Sequence, residues 1–145
     1  MTTAAIINEL NYLVISSSED YAQLDRLAEL TNSLAQNPDG YQASGALLEL
    51  AERHPQVEFG VPGQLVHALE TYRGHYETLL LASLDRRPTA TTIWLLHRLL
   101  NAAEGQEKQV LIAKLKSVLT HPLADEQAQA AAADFDRFQT SGLSL

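Results

Sequence analysis

The chain has 145 residues, 46% hydrophobic and 19% charged, a size and composition that fit one folded domain. Eighteen Asp and Glu face ten Lys and Arg, giving a net charge of −8, the opposite of the basic footprint a nucleic-acid binder needs. There is no cysteine, which excludes a disulfide framework, a thiolate zinc site and a Cys nucleophile.

The first residues, MTTAAIINELNYLVI, have no basic residue before their apolar part and carry Asn8, Glu9 and Asn11 inside it. A secretory leader needs the reverse layout. No apolar run approaches the ~20 residues of a membrane span. The expected setting is therefore the cytoplasm, with neither membrane nor nucleic acid as partner.

Helical periodicity recurs throughout, and strand alternation is nearly absent. A first helix is expected over residues 3–15, with Ile6, Leu10, Leu13 and Val14 inward. Ser17 or Ser18 is placed to cap the second, whose stripe is Tyr21, Leu24, Leu27, Leu30 and Leu34. Asn37-Pro38-Asp39-Gly40 is the clearest loop. The third helix starts near Tyr41, with Asp39 and Gln42 spaced as a capping box, and ends at His54-Pro55. Pro62 suits the first turn of the fourth, which buries Leu65, Val66, Leu69 and Tyr72 and ends by Gly74.

A fifth helix over residues 75–85 carries Tyr76, Leu79, Leu80 and Leu84. The sixth follows Pro88, capped by Thr89, and buries Ile93, Leu96, Leu99 and Leu100. After Gly105 a seventh, over residues 106–119, buries Val110, Leu111, Leu115 and Val118. The eighth, over residues 124–138, is alanine-rich with Phe135 and Phe138 as bulk. Residues 140–145 are expected to be loose.

Eight short helices define an all-α class and a single domain over residues 1–145. Three pairs, residues 41–72, 75–101 and 106–138, each hold a Pro-containing break, which points to stacked antiparallel pairs, HEAT-like, in an α-solenoid. A compact helical bundle is the alternative.

No catalytic or metal site emerges, and no cofactor is expected. The histidines at positions 54, 67, 75, 97 and 121 form no His-Glu-x-x-His, and His67 with Glu70 reads as a solvated helix face. His54 and His121 each precede a proline at a helix end, where a cation suits the dipole. Ser44 lacks a Gly-x-Ser-x-Gly frame. The acid pairs Glu19-Asp20 and Asp125-Glu126 sit at helix starts, where dipole compensation explains them.

What remains is the outer stripes of the fourth and sixth helices. A 100° step groups His67, Glu70 and Thr71 on one, and Trp94, His97, Arg98 and Asn101 on the other. Trp and Arg are common interface anchors, so these seven form the candidate partner-binding set. The structural alternative packs Trp94 between neighbouring helix pairs and sets Arg98 against an acid such as Glu70.

The same region carries a resemblance. Glu58-Phe59-Gly60-Val61-Pro62-Gly63 with Leu65-Val66-His67 resembles the front of a bacterial immunity-protein-like family of contact-dependent inhibition and polymorphic toxin systems. Tyr76-Glu77, Ser83-Leu84, Arg86-Arg87-Pro88-Thr89 and Thr92-Ile93-Trp94 with Arg98 and Asn101 resemble its second block. The likeness covers residues 58–101, a third of the chain. It implies an immunity protein with no enzymatic activity, which binds a cognate toxin domain and blocks it. Many such toxins are nucleases with basic surfaces, which an acidic inhibitor complements. A helical scaffold or adaptor unrelated to toxins is the alternative, and a homodimer through the exposed stripe stays open.

Overall fold

The computed structural model describes residues 1–60 and 63–143. The chain is all-helical. Its helices are α1 (Thr3–Tyr12), α2 (Tyr21–Ala35), α3 (Ser44–Arg53), α4 (Gln64–Thr71), α5 (Glu77–Arg86), α6 (Ala90–Ala102), α7 (Gly105–Val118) and α8 (Glu126–Leu143). A 3-10 turn, Gly40–Ala43, leads into α3. Among the described residues no helix is long and apolar enough to cross a membrane. The chain forms two compact units, Met1–Leu80 and Leu81–Leu145, whose boundary falls inside α5.

In unit one, α1 packs chiefly on α3 and α2 on α4, while the consecutive α3 and α4 touch more sparingly. Ile6 and Leu10 of α1, Leu27, Leu30 and Leu34 of α2, and Leu47, Leu48 and Leu50 of α3 are buried. Each such leucine contributes about 1.5–3 kcal/mol through burial. Thr2 caps α1, its Oγ1 accepting from the Ala5 N–H at 3.1 Å.

The link after α1 is held from α3. Arg53 Nη2 donates to the carbonyls of Leu10 (2.8 Å) and Leu13 (3.4 Å). His54 Nδ1 meets the Leu50 carbonyl at 2.9 Å, and its Nε2 accepts from the Ile15 N–H at 3.1 Å. His54 thus stands at the end of α3, as expected, and its ring also staples the link after α1.

Two glycines come together at the entry to α4. Gly60, at φ +102°, pairs in an isolated bridge with Gly63, the N-cap of α4. A Cβ on Gly63 would overlap the Phe59 carbonyl. The expected helix start at Pro62 lies outside the described residues. Gly40 is constrained differently, because a Cβ there would strike the Leu34 carbonyl and lie 2.6 Å from the Tyr72 hydroxyl.

In unit two, α8 packs on both α6 and α7, and α6 packs on α7. Ile93, Leu95, Leu96 and Leu100 of α6 are buried, as are Leu111, Ile112, Leu115 and Val118 of α7. The alanines of α8 keep it close, with Ala128 and Ala132 fully buried. Thr89 caps α6 as expected, and Thr92 returns the bond to the Thr89 N–H at 3.0 Å, closing a capping box. His121 repeats the role of His54: its Nε2 meets the Asp85 carbonyl at 2.7 Å and its Nδ1 accepts from the Leu123 N–H at 3.0 Å.

Several boundaries and faces differ from expectation. α1 stops at Tyr12, and Leu13 is extended, so the following residues alternate. Leu13 and Ile15 turn inward and Val14 outward. Tyr21 opens α2, where side chains tilt toward the N-terminus, and it projects into solvent instead of joining the core stripe. Asp39 forms no capping box with Gln42; its carboxylate accepts from Thr3 Oγ1 at 2.6 Å. Leu79, Val110 and Phe138 are exposed, off the stripes their neighbours bury. α8 continues through Leu143, past the expected end at residue 138.

Gly63→Ala should destabilise by more than ~1 kcal/mol, because the added Cβ would overlap the Phe59 carbonyl, which is backbone and not the end of a flexible side chain. Gly45→Ala, where nothing lies within 4 Å, should instead stabilise α3 by about 0.5 kcal/mol. Urea unfolding of both variants checks the opposite signs. Thr89→Ala should cost about 1–2 kcal/mol by the same measurement, since the buried Thr92 hydroxyl loses part of its pairing.

Candidate functional site

The seven outer-face residues divide between the units. His67, Glu70 and Thr71 stand on α4 in unit one; Trp94, His97, Arg98 and Asn101 stand on α6 in unit two.

On α4, His67 and Thr71 are exposed and Glu70 is half-buried. The Thr71 hydroxyl donates to the His67 carbonyl one turn back (3.0 Å), so this part of the face satisfies its own backbone. Beside it lies a groove of about 110 Å³ between α2 and α4, lined by Thr31, Asn32, Gln64, His67, Thr71 and Tyr72. Thr31 Oγ1 donates to the Ala28 carbonyl at 3.0 Å and lies 3.4 Å from Gln64 Oε1. Burial raises the Tyr72 phenol above its ordinary value, which keeps it neutral.

On α6, the stripe splits by chemistry. Arg98 lies over the Trp94 ring, its guanidinium carbon 5.4 Å from the centroid, an i,i+4 cation–π pair. Trp94 is half-buried and Arg98 exposed. His97 and Asn101 instead face α8. The His97 ring stacks on Phe135 with centroids 4.1 Å apart and meets Phe138 edge-on at 5.2 Å. Gln139, 4% exposed, donates from Nε2 to His97 Nδ1 (3.2 Å) and to Asn101 Oδ1 (3.0 Å).

Burial holds the His97 imidazole below its ordinary value of 6.5, and the positive charge of Arg98 adds to this. The geometry agrees: a protonated Nδ1 would point at the amide NH₂ of Gln139. An open cleft of about 660 Å³ continues from here along Asn101, Lys108, Asp134, Arg137 and Phe138.

Gln139 was missed from sequence. Its signal was there, because residues 128, 132, 135 and 139 fall on one helical stripe, but a polar residue past the expected end of α8 carries no apolar mark.

Charge is unevenly divided. Unit one holds 11 carboxylates against three cations, Arg26, Arg53 and Arg73; unit two holds seven against seven. The whole net charge of −8 therefore belongs to unit one. Two of its cations are committed. Arg26 pairs with Glu9 (2.5 Å) and Glu29 (2.7 Å), and Arg53 with backbone carbonyls. Among the described residues no group of three or more His, Asp or Glu is placed to hold a metal ion.

These features define an all-helical protein with one strongly acidic unit and one neutral unit. No family model, curated protein or solved structure matches the chain.

His97 gives a pH test. Its folded-state value is depressed, so above 6.5 the ring is neutral in both states and adds no pH dependence. As pH falls below 6.5 the unfolded chain takes up the proton first, and stability drops. His97→Gln should be less stable at pH 8, through lost stacking, yet lose less melting temperature than wild type between pH 7.5 and 5.5. Parallel melting curves for the two proteins would show that His97 is not held neutral.

Proposed function

We propose that this chain is an immunity protein, a stoichiometric inhibitor that binds a toxin domain with a basic surface and acts by contact alone. The observation that carries the reading is the confinement of the net charge to unit one. Eleven carboxylates on an 80-residue unit create a field that steers a cationic partner and raises its association rate. The same field repels nucleic acid and anionic lipid surfaces. The likeness of residues 58–101 to the immunity-protein-like family supports the toxin as the class of partner; it rests on those residues and not on a match to a family model. The proposed place of action is the cytoplasm, where a nuclease-type toxin meets its substrate.

The structure also bears on which outer-face residues suit this reading. Trp94 and Arg98 of α6 present an indole and a guanidinium of the kind that anchors interfaces. His97 and Asn101 are engaged by Gln139 and contribute less.

The test is co-expression with the polypeptide encoded by the adjacent upstream gene, together with titration of the purified pair. Growth should be rescued, and a 1:1 complex should form with a Kd on the order of nanomolar or tighter. Its association rate should fall steeply as salt rises from ~50 to ~500 mM, because the steering is electrostatic. No rescue and no binding would remove the immunity reading.

A further inference from the structure

Three large apolar side chains of unit one stand in solvent within residues 12–21: Tyr12 is 79% exposed, Val14 68% and Tyr21 66%. They bracket a single connection, since Tyr12 ends α1, Tyr21 begins α2 and Val14 lies between. Exposed aromatics on a loose loop would mean little, but this backbone is clamped along its length. Arg53 holds the Leu10 and Leu13 carbonyls, and His54 holds the Ile15 N–H. The Asp20 carboxylate accepts from both the N–H and the hydroxyl of Ser16, each at 2.9 Å. Ser18 Oγ accepts from the Glu58 N–H at 2.9 Å. The apolar groups are thus presented on a backbone already ordered, which lowers the entropy a partner must remove.

The charged groups around this connection are mainly anionic, four carboxylates against the Arg53 guanidinium that clamps the Leu10 and Leu13 carbonyls. Glu19 is exposed beside Tyr21, Asp25 is exposed one turn further along α2, and the exposed Glu58 is joined through its N–H to Ser18. The Ser16 N–H and hydroxyl hold the Asp20 carboxyl below its usual range, so it stays charged. The nearby cation on α2, Arg26, is bound to Glu9 and Glu29.

We propose that the exposed Tyr12, Val14 and Tyr21, with Glu19 and Asp25 on the same stretch of chain and Glu58 joined to it through Ser18, form the docking surface for a basic protein partner. The inference rests on the binding role proposed above and names the surface that performs it. Charge selects the occupant. A cationic protein surface with an apolar centre complements both parts of the patch, with the aromatics as buried anchors and the carboxylates as a charged rim. A second copy docked on the same face would set Glu19, Asp25 and Glu58 against their own counterparts, a like-charge arrangement that an isologous pair cannot avoid.

The experiment is titration of the full chain with the polypeptide encoded by the adjacent gene, using four variants. Tyr12→Ala with Tyr21→Ala should weaken binding at least tenfold and leave the helical circular dichroism unchanged. Asp25→Lys should slow association severalfold and flatten its salt dependence, a kinetic readout that a purely structural residue would not move. Val110→Ala, at an exposed site of unit two outside the candidate binding residues, should bind within threefold of wild type. Val14→Arg, at an exposed site, supplies the same readout should the double variant fail to fold. Wild-type affinity in the tyrosine and Val14 variants overturns the surface while leaving the binding role standing. Failure of the wild-type chain itself to bind overturns that role and the surface with it. A free chain that sediments as a dimer, and as a monomer once Tyr12 and Tyr21 are replaced, assigns the patch to self-association and overturns the proposal.

Discussion

Short helices leave many ends, and each end leaves backbone groups without an intrahelical partner. That requirement governs this chain more than any other. The helices run from eight to 18 residues, so a large share of the backbone lies near a terminus. The sequence answers with side chains that reach across to neighbouring segments. Arg53 closes the end of α1, His54 joins the end of α3 to the link after α1, and His121 joins the link after α7 to the end of α5. Glu77 accepts from the N–H groups of Gly74 and Tyr76, and Asp125 caps α8 through the Ala128 N–H. These bonds connect one element to the next, so satisfying the helix ends also fixes the connections on which exposed residues are displayed.

Much of the fold was legible in the sequence, and what was not has identifiable causes. The helices follow from leucine spacing and from Gly and Pro punctuation, and Thr89 was readable as a cap because its partner lies three residues away. Contacts distant in sequence were not readable. The stapling role of His54 depends on the Ile15 N–H, 39 residues earlier, and no local rule places that donor. Val14 was assigned inward because helical periodicity was carried two residues too far; once the chain extends at Leu13 the period becomes two and the side chain reverses. The continuation of α8 was hidden by its polar composition, which reads as a tail until its buried face is seen. The expectation of stacked consecutive pairs fits α7 with α8 better than α3 with α4, because in unit one the dominant contacts skip a helix.

The candidate site was legible only in part. Helical spacing grouped Trp94 with His97, Arg98 and Asn101, but spacing cannot say what already occupies a face. Two of the four turned out to be engaged by Gln139, and two form their own cation–π pair. The charge asymmetry was present in the sequence throughout, yet a whole-chain value of −8 averages an acidic unit with a neutral one. The division became meaningful once the boundary inside α5 was known. Val14 and Tyr21 were hidden for the opposite reason: their apolar character matched a core pattern so well that solvent exposure was the less expected outcome.

The engagement of His97 and Asn101 by α8 makes the last helix a resident occupant of α6's outer face. Phe135 supplies the stacking surface there and the Gln139 amide the polar contacts, as an incoming ligand would. Any molecule seeking those two side chains enters a competition it must win against a tethered rival at high local concentration. Affinity at that face would be set by how readily the final turns of α8 detach, so shortening the chain from its C-terminal end would unmask it.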